Sequence, residues 1–181
     1  MQIPFTAYAE DCTVSGEVEL PADRLSDYLA STTEFVVSKP SFRALDDGRV
    51  VEGETCDVLR DDLCVVVATG PRGRMERRLW TRQHPVRAKV GPYQVVGYLH
   101  APPTIDPLHS TDRRQVVALT DSVVEYSEAG AMVRVEAPAI LLNCTKINRL
   151  ENASDEVIGL ERHLERDVAV DPHARDLTGN L

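Results

Sequence analysis

The sequence predicts an all-β protein made of two tandem, related small β-barrel or sandwich domains, followed by a short C-terminal helix. Short valine-rich runs recur between turn signals, as in a small sandwich or barrel. Two of these runs alternate apolar and polar residues, which is typical of half-buried strands. A similar pattern returns 81 residues further along the chain. With 181 residues, 43% of them hydrophobic and 27% charged, the chain has the composition of a folded globular protein.

The predicted strands are runs rich in β-branched residues, which pack well on a pleated surface. Turn signals separate them, and the Asp47-Gly48 step between two of them predicts a hairpin. The nine runs are 13–20, 35–38, 49–51, 63–68, 93–101, 115–119, 123–126, 131–135 and 139–142.

The repeat begins in the two runs with the clearest alternation, 13–20 and 93–101. Its matching pairs are Val14 with Val95, Gly16 with Gly97, Val18 with Leu99, Pro21 with Pro102, Val36 with Val117 and Ser41 with Ser122. Because no gap interrupts this register, we expect a duplicated domain. The first β-domain is predicted at 1–72, the second at 73–150, and a short helix with a flexible tail at 151–181. The alternative is two unrelated stretches of one larger sheet.

Gly16 and Gly97 occupy the same place in mid-strand, where a glycine indicates a bend, a bulge or a close backbone approach. A strongly bent strand is what a small closed barrel requires. The motif Val-x-Gly-x-Val at 14–18, followed by a polar loop and Phe-Val-Val at 35–37, resembles the opening of Sm-like and SH3-like small barrels. The second half, with Val-x-Gly-x-Leu at 95–99, is similar to it.

This resemblance implies a small barrel in each half and, for the Sm type, binding of RNA. Asp23 and Asp27 stand where an Sm loop carries acidic residues, whereas the Asn of that loop is missing. The chain as a whole is similar to a bacterial family of duplicated domains, and that similarity implies no particular activity.

The charge of the chain is unevenly distributed. Its 20 Lys and Arg against 29 Asp and Glu give a net charge of -9, which disfavours general binding to nucleic acid. The junction between the halves, 72–89, nevertheless carries a net charge of +6 around Trp80, the only tryptophan. Arg and Trp are enriched at interface centres, and arginine matches carboxylates and phosphates. The residues predicted to bind a partner or an anion are Arg72, Arg74, Arg77, Arg78, Trp80 and Arg82.

Three interpretations of this junction stay open: a solvated hairpin neutralised by the protein's own acids, a contact with an acidic partner or a second copy, or a phosphate or nucleic-acid site.

Two apolar surfaces are further interface candidates. Val96 and Tyr98 continue the less polar outer face of the run 93–101. A predicted amphipathic helix begins at Ser154 and docks on its own domain or on a partner, since it is too short to be stable alone. Its apolar positions are Val157, Leu160 and Leu164.

Four side chains could together bind a divalent metal, namely His100, Asp106, His109 and Asp112. Three prolines make their segment an extended polar loop, so we predict no metal site.

The four cysteines form no Cys-x-x-Cys pair, which argues against structural zinc. The sequence has no phosphate loop, nucleophile elbow or dinucleotide-binding fingerprint, so we expect neither an enzyme nor a cofactor.

The sequence therefore predicts a non-catalytic protein-interaction or scaffold module that self-associates as a homo-oligomer or binds an acidic protein. The alternative is an Sm-like RNA or nucleotide binder that uses the Arg/Trp-rich junction. No apolar run is long enough to span a membrane, and the first residues do not form a secretory signal. Together with unpaired cysteines, which fit a reducing compartment, this predicts a cytoplasmic protein.

Overall fold

The computed structural model of the protein describes residues 1–71, 81–104, 106–111 and 114–154. Eleven strands in these residues form one antiparallel sheet, so the predicted all-β class is confirmed. The strands are β1 (Gln2–Ala9), β2 (Cys12–Glu19), β3 (Glu34–Ala44), β4 (Val50–Glu52), β5 (Thr55–Leu59), β6 (Leu63–Val67), β7 (Arg82–Val90), β8 (Tyr93–Ala101), β9 (Val116–Glu128), β10 (Ala131–Asn143) and β11 (Ile147–Asn152). Across the sheet the order is β11, β7, β8, β9, β10, β6, β1, β2, β3 and β4, and β5 also pairs with β3. In the described residues, no helix is long and apolar enough to cross a bilayer.

The two strands with the clearest alternation form as predicted. Val14 and Val18 in β2 are buried while the intervening residues are more exposed, and Tyr93 and Leu99 in β8 are at most 1% exposed. The predicted hairpin joins β3 to β4, with Gly48 at a positive φ of 70° in the turn. Period-two alternation is therefore a reliable guide to these strands.

Among the described residues, four strands (β1, β5, β7 and β11) and one α-helix lie outside the predicted runs. Strand β1 alternates the buried Ile3, Phe5 and Ala7 with more exposed residues. It lies outside the predicted runs because it is not rich in valine. Strand β7 occupies the end of the basic junction and pairs with β8 over its whole length. It contains Pro85, which cannot donate a ladder hydrogen bond and so argues against a strand in the sequence. The helix is α1 (Leu25–Ser31).

Helix α1 has seven residues and depends on tertiary contacts, because a helix this short is unstable alone. Leu25 and Leu29, one turn apart, are buried. The guanidinium of Arg60, whose side chain is 9% exposed, donates to the carbonyls of Leu29 (3.3 Å) and Thr32 (3.5 Å). A cation at the C-terminal end of a helix also complements the helix dipole. Arg60 therefore fixes where α1 ends.

The strands of the two halves follow the same order. Strand β2 begins at Cys12 and β8 at Tyr93, 81 residues later. In the third strands the offset is 82, because Val18 pairs with Val37 and Leu99 with Leu119. The predicted matches of Val36 with Val117 and of Ser41 with Ser122 are therefore wrong by one residue. In each half the first strand pairs with the second and the second with the third, and a final strand returns to the first. A 3-10 turn precedes each final strand, at Arg60–Asp62 and at Cys144–Lys146.

Residues 151 and 152 belong to β11, and the predicted helix and tail from 155 onward lie outside the described residues.

Gly16 and Gly97 mark the same irregularity in both halves. The register between β2 and β3 shifts at Gly16, and the register between β8 and β9 shifts at Gly97. A Cβ atom on Gly16 would lie 2.6 Å from Val37 Cγ1, and one on Gly97 would lie 2.7 Å from Ser122 Oγ. The predicted bulge and close approach are thus both confirmed.

Two hydrophobic cores are built on the sheet. The first-half core is centred on Phe5, Leu29 and Val37, and the second-half core on Tyr93, Leu119 and Ile140. Strand β6 belongs to both, because Val66 lies in the first-half core and Val65 in the second-half core. The sheet is therefore continuous between the halves, and their division into separate domains near 72 stays a prediction.

Three tyrosines join the halves. The ring of Tyr8 in β1 contacts the rings of Tyr93 and Tyr126 edge-on, at centroid distances of 5.4 and 5.6 Å. The Tyr93 hydroxyl donates a hydrogen bond to the carbonyl of Ala9. Burial raises the pKa of Tyr8 to about 12 and raises the pKa of Tyr93 further. The cluster is therefore uncharged at neutral pH.

Among the described residues, two ion pairs also link the halves. Lys146 Nζ lies 2.9 Å from Glu10 Oε1, and Arg43 Nη1 lies 3.4 Å from Glu128 Oε1. Pairs with a solvent-exposed partner contribute at most about 1 kcal/mol to stability. The buried tyrosines and the shared strand β6 therefore provide most of the contact between the halves.

Candidate functional site

An open cleft of about 490 Å³ lies between strand β11 and the 3-10 turn Leu108–Thr111. Leu108, Ile147 and Leu150 line it and pack partly against the second-half core. Arg114 and Arg149 also line it, and both are exposed. The cleft thus combines an apolar floor with two cations.

Strand β11, which forms one wall of this cleft, is an edge of the sheet. It pairs with β7 on one side, and no strand of the described residues pairs with its other side. Arg149 Nη2 lies 2.7 Å from Glu151 Oε2, and Asn148 Oδ1 accepts a hydrogen bond from the Gly91 N–H at 2.9 Å. An edge strand offers its backbone donors and acceptors to an added strand.

In the first half, the counterpart of this cleft is filled. Strand β6 takes the place of β11, since each is the final strand of its half and pairs with the first strand next to a bulge. On its other side β6 pairs with β10, through Val65 with Leu142, Val66 with Leu141 and Val67 with Ile140. The second half therefore inserts one of its own strands into the first half.

The end of β10 seals this contact with polar groups. The Asn143 side-chain nitrogen donates to the carbonyls of Leu63 (2.9 Å) and Arg60 (3.3 Å). Its side-chain oxygen accepts from the Thr145 N–H (3.1 Å) and hydroxyl (2.8 Å). Beside it, Leu141 is 2% exposed within the first-half core. The groove along β6 is thus filled both by hydrogen bonds and by apolar packing.

The opposite end of the sheet is acidic. Strands β4 and β5 both pair with β3, and no other described strand pairs with them. Val51 and Leu59 here are 63% and 47% exposed. The exposed carboxylates of this acidic edge are Glu52, Glu54, Asp57, Asp61 and Asp62. The acidic edge and the cleft beside β11 therefore have opposite charge, and both include apolar side chains.

Five of the six residues predicted to bind a partner or an anion lie outside the described residues, namely Arg72, Arg74, Arg77, Arg78 and Trp80. Arg82 is described, and it is exposed at the start of β7, opposite Ala101. Binding of a partner or an anion at this junction stays a prediction.

The predicted interface residues Val96 and Tyr98 lie on the face of the sheet turned away from the second-half core. They form a small cluster with Val123, in which Val96 is 5% and Val123 1% exposed. Arg134 Nη1 pairs with Glu125 Oε1 at 2.9 Å on the same face. An interface here stays a prediction, and its predicted helical residues Val157, Leu160 and Leu164 lie outside the described residues.

The predicted His and Asp cluster is separated in the structure. Asp106 and His109 pair at 3.0 Å on the surface, whereas His100 Nε2 lies 2.8 Å from the Thr120 hydroxyl. Burial lowers the pKa of His100, and Asp112 lies outside the described residues. Among the described residues, no three His, Cys, Asp or Glu side chains are placed to hold a metal ion.

No disulfide joins any two of the four cysteines. Burial raises the pKa of both Cys12 and Cys64 to about 11, so these two are neutral at pH 7 and react slowly. Cys56 in β5 and Cys144 at the cleft are partly exposed.

The cleft is absent from the sites predicted by sequence, because its walls come from segments that only the fold brings together. A signal was nevertheless present in the repeat. The final strand of the first half reads Leu-Cys-Val-Val-Val at 63–67, whereas its counterpart reads Ile-Asn-Arg-Leu-Glu at 147–151. The first is typical of a strand buried on both faces and the second of a strand with one exposed face.

Comparison of the chain with models of protein families, with curated proteins and with solved structures finds no match.

Proposed function

We propose that the protein is a non-catalytic interaction module that self-associates through the two open edges of its sheet. The observation that carries this proposal is the cleft beside β11, because β10 occupies the same place in the first half. An extended segment entering the cleft would gain backbone hydrogen bonds along β11 and bury the apolar floor.

The distribution of charge supports a second copy of the chain as the partner. Arg114 and Arg149 line the cleft, and the acidic edge lies at the other end of the sheet. Surfaces of opposite sign attract and orient two molecules as they meet. An acidic segment of another protein would offer the same chemistry, and it is the other partner within this proposal.

Within this proposal each half is a small barrel of the SH3-like or Sm-like type, and the chain acts as a scaffold module in the cytoplasm. The matching strand order, the bulge shared by Gly16 and Gly97, and the two cores support a duplicated domain. Four cysteines without a disulfide support a reducing compartment.

Binding of RNA or a nucleotide in an Sm-like manner is the second candidate. It was predicted at the Arg/Trp-rich junction, where Arg82 is the described one of the six predicted binding residues, and the arginines of the cleft give it separate support. Arg114 and Arg149 would match phosphates as well as carboxylates. Such binding weakens steeply as salt is added. If no RNA shift is detected at low ionic strength, this candidate is removed.

Reversal of one charge in the cleft tests the leading proposal. We expect Arg149→Glu to weaken self-association about tenfold, which corresponds to about 1.4 kcal/mol, because it brings a like charge toward the acidic edge. Arg82→Glu is the matched control, since it makes the same change in net charge on β7, outside the cleft lining. Sedimentation velocity at equal protein concentration compares both variants with the wild type.

The control also separates two locations for the contact. Weaker association in Arg149→Glu alone supports the cleft. Weaker association in Arg82→Glu alone would instead place the contact at the basic junction. Wild-type behaviour of both variants would contradict the proposed cleft contact.

A further inference from the structure

We infer that copies of the chain associate head to tail, with β5 of one copy added beside β11 of the next, in the register that β10 and β6 adopt within the chain. This inference rests on the proposed self-association and specifies its contact. Within one chain, β10 of the second half pairs with β6 of the first. Strand β5 corresponds to β10, and strand β11 corresponds to β6. Each of β5 and β11 pairs with one described strand and has its other edge open.

Strand β5 is the counterpart of β10, as the strand pairing demonstrates. Val18 and Leu99 are equivalent in the repeat, and each can be followed across two pairings to a residue of the strand in question. The two series are Val18–Val37–Cys56 in the first half and Leu99–Leu119–Ile140 in the second. Cys56 is therefore equivalent to Ile140, and Asp57 to Leu141.

Strand β11 is the counterpart of β6 by the same argument. Tyr8 and Lys89 are equivalent because they are 81 residues apart, and they pair with Val65 and Arg149. The next residues follow, so Leu150 is equivalent to Val66. Both final strands carry a register shift at the same point, which supports the alignment.

If β5 of one copy and β11 of the next adopt the register of β10 and β6, three specific residue pairs follow. Within the chain, Ile140, Leu141 and Leu142 pair with Val67, Val66 and Val65. Between copies, the corresponding pairs are Cys56 with Glu151, Asp57 with Leu150, and Val58 with Arg149. The two strands are antiparallel, as β10 and β6 are.

The residues at the β10–β6 contact within the chain and those at the proposed β5–β11 contact between copies differ in polarity. Within the chain they are apolar, since Leu141 enters the first-half core, and Val65 and Val67 lie against the second-half core. Between copies their counterparts are Asp57, Arg149 and Glu151. The contact between copies is therefore polar, reversible and sensitive to salt, whereas the contact within the chain is permanent.

The charge of the cleft fits the strand that is proposed to enter it. In the transferred register, Asp57 lies opposite Leu150, which lines the cleft together with Arg114. The carboxylate therefore enters beside a cation instead of a purely apolar wall. Arg149 approaches the acidic edge at the same time. Charged groups at strand edges normally oppose pairing, so only a partner of complementary charge is admitted.

A contact of this kind joins two different surfaces. Each copy that uses its cleft still offers its β5 edge, so association continues beyond a dimer until a ring closes. A two-fold contact, in which the same surface meets itself, would end at two copies. The number of copies thus distinguishes the two arrangements.

Disulfide cross-linking of the full chain tests the register. Directly opposed residues of antiparallel strands have Cα atoms about 4.5–5.5 Å apart, within the range that a disulfide spans. We expect the variant Glu151→Cys to cross-link to the native Cys56 of the next copy under mild oxidation. Electrophoresis without reductant should then show a ladder of multiples of the 20.0 kDa chain.

Two control variants make the result specific. The double variant Glu151→Cys with Cys56→Ser removes the native partner and should abolish the ladder. Glu136→Cys places a new thiol on an exposed position of β10, away from both open edges, and should give no ladder. Near-ultraviolet circular dichroism verifies that each variant keeps the native packing.

The outcomes separate this inference from the proposed function. A ladder that depends on Cys56 supports the head-to-tail register. Dimers that persist after Cys56→Ser overturn it in favour of a two-fold contact at β11. The absence of cross-links in protein that light scattering finds associated overturns the register and leaves self-association standing. A chain that stays monomeric overturns both.

Discussion

At Gly97 the missing side chain allows β9 to approach β8, since a Cβ there would lie 2.7 Å from the Ser122 hydroxyl and 3.1 Å from the Thr120 carbonyl oxygen. The same holds at Gly16, against Val37. This feature could be predicted from the sequence because a glycine in mid-strand is a local signal, and the repeat presents it twice. The atoms that each glycine meets come from the next strand, so only the structure identifies them.

The close approach predicts the effect of adding a methyl group. We expect Gly97→Ala to lower the free energy of unfolding by about 1–3 kcal/mol, because its Cβ would lie 2.7 Å from Ser122 Oγ. Gly53→Ala is the matched control, since its Cβ would lie 3.5 Å from Pro40, an ordinary contact. Urea unfolding of both variants measures the difference. Equal stabilities would contradict the tight packing at Gly97.

Tyr93 illustrates what a sequence alone does not disclose. Its hydroxyl bonds to the Ala9 carbonyl, and its ring contacts Tyr8, both more than eighty residues away along the chain. Alternation predicted that this residue is buried, but no local pattern indicates a partner in the other half. We expect Tyr93→Phe to cost about 1–2 kcal/mol, because it leaves a buried carbonyl without its donor.

Tyr93 also predicts how stability depends on pH. Burial raises its pKa in the folded state, while the unfolded chain ionises near the usual value of about 10. The unfolded state therefore binds fewer protons above pH 10, and the stability of the wild type falls as the pH rises beyond that value. Urea unfolding at pH 8 and pH 10.5 should give a smaller loss for Tyr93→Phe than for the wild type. An equal loss would contradict this role.

At the scale of elements, the strands with clear alternation were predictable, and those whose formation depends on neighbours were not. Strand β7 contains Pro85 and many cations, yet it forms because β8 and β11 pair on its two sides. Helix α1 has no side-chain cap at its N-terminus and only seven residues. It is stabilised instead by burial of Leu25 and Leu29 and by the buried Arg60.

The proposed pairing of β5 with the cleft predicts the behaviour of a charge swap. Asp57→Arg and Arg114→Asp should each weaken self-association, because each brings like charges together at the contact. A mixture of the two variants should associate again, since the altered strand of one fits the altered cleft of the other. Their remaining unaltered surfaces also match, so mixed chains alternate. Light scattering of each variant alone and of the mixture measures this.

The mixture is the informative sample. Recovery in the mixture requires that Asp57 and Arg114 belong to opposite sides of one contact between copies. If both single variants dissociate and the mixture stays dissociated, the two residues do not meet, and the proposed contact is wrong.

At the scale of the whole molecule, the duplication was visible in the sequence but the joining of the halves was not. The repeat predicted equivalent strands, and the strand order and bulges follow it, although β3 and β9 are offset by 82 residues where the ungapped repeat predicted 81. That β6 serves both cores depends on its pairing with β10, which no spacing indicates. Charge was predicted to be segregated at the basic junction. The structure shows a second separation of charge, with cations at the cleft beside β11 and carboxylates at the acidic edge.

Self-association is tested by the molar mass of the wild-type chain, measured by light scattering over a range of concentrations at low and at high salt. Salt screens charges that are more than about 10 Å apart at 0.1 M and weakens contacts between exposed charges. We predict a molar mass that rises with concentration at low salt, and that falls back toward 20.0 kDa at high salt. A chain that remains at 20.0 kDa at high concentration in low salt would contradict self-association.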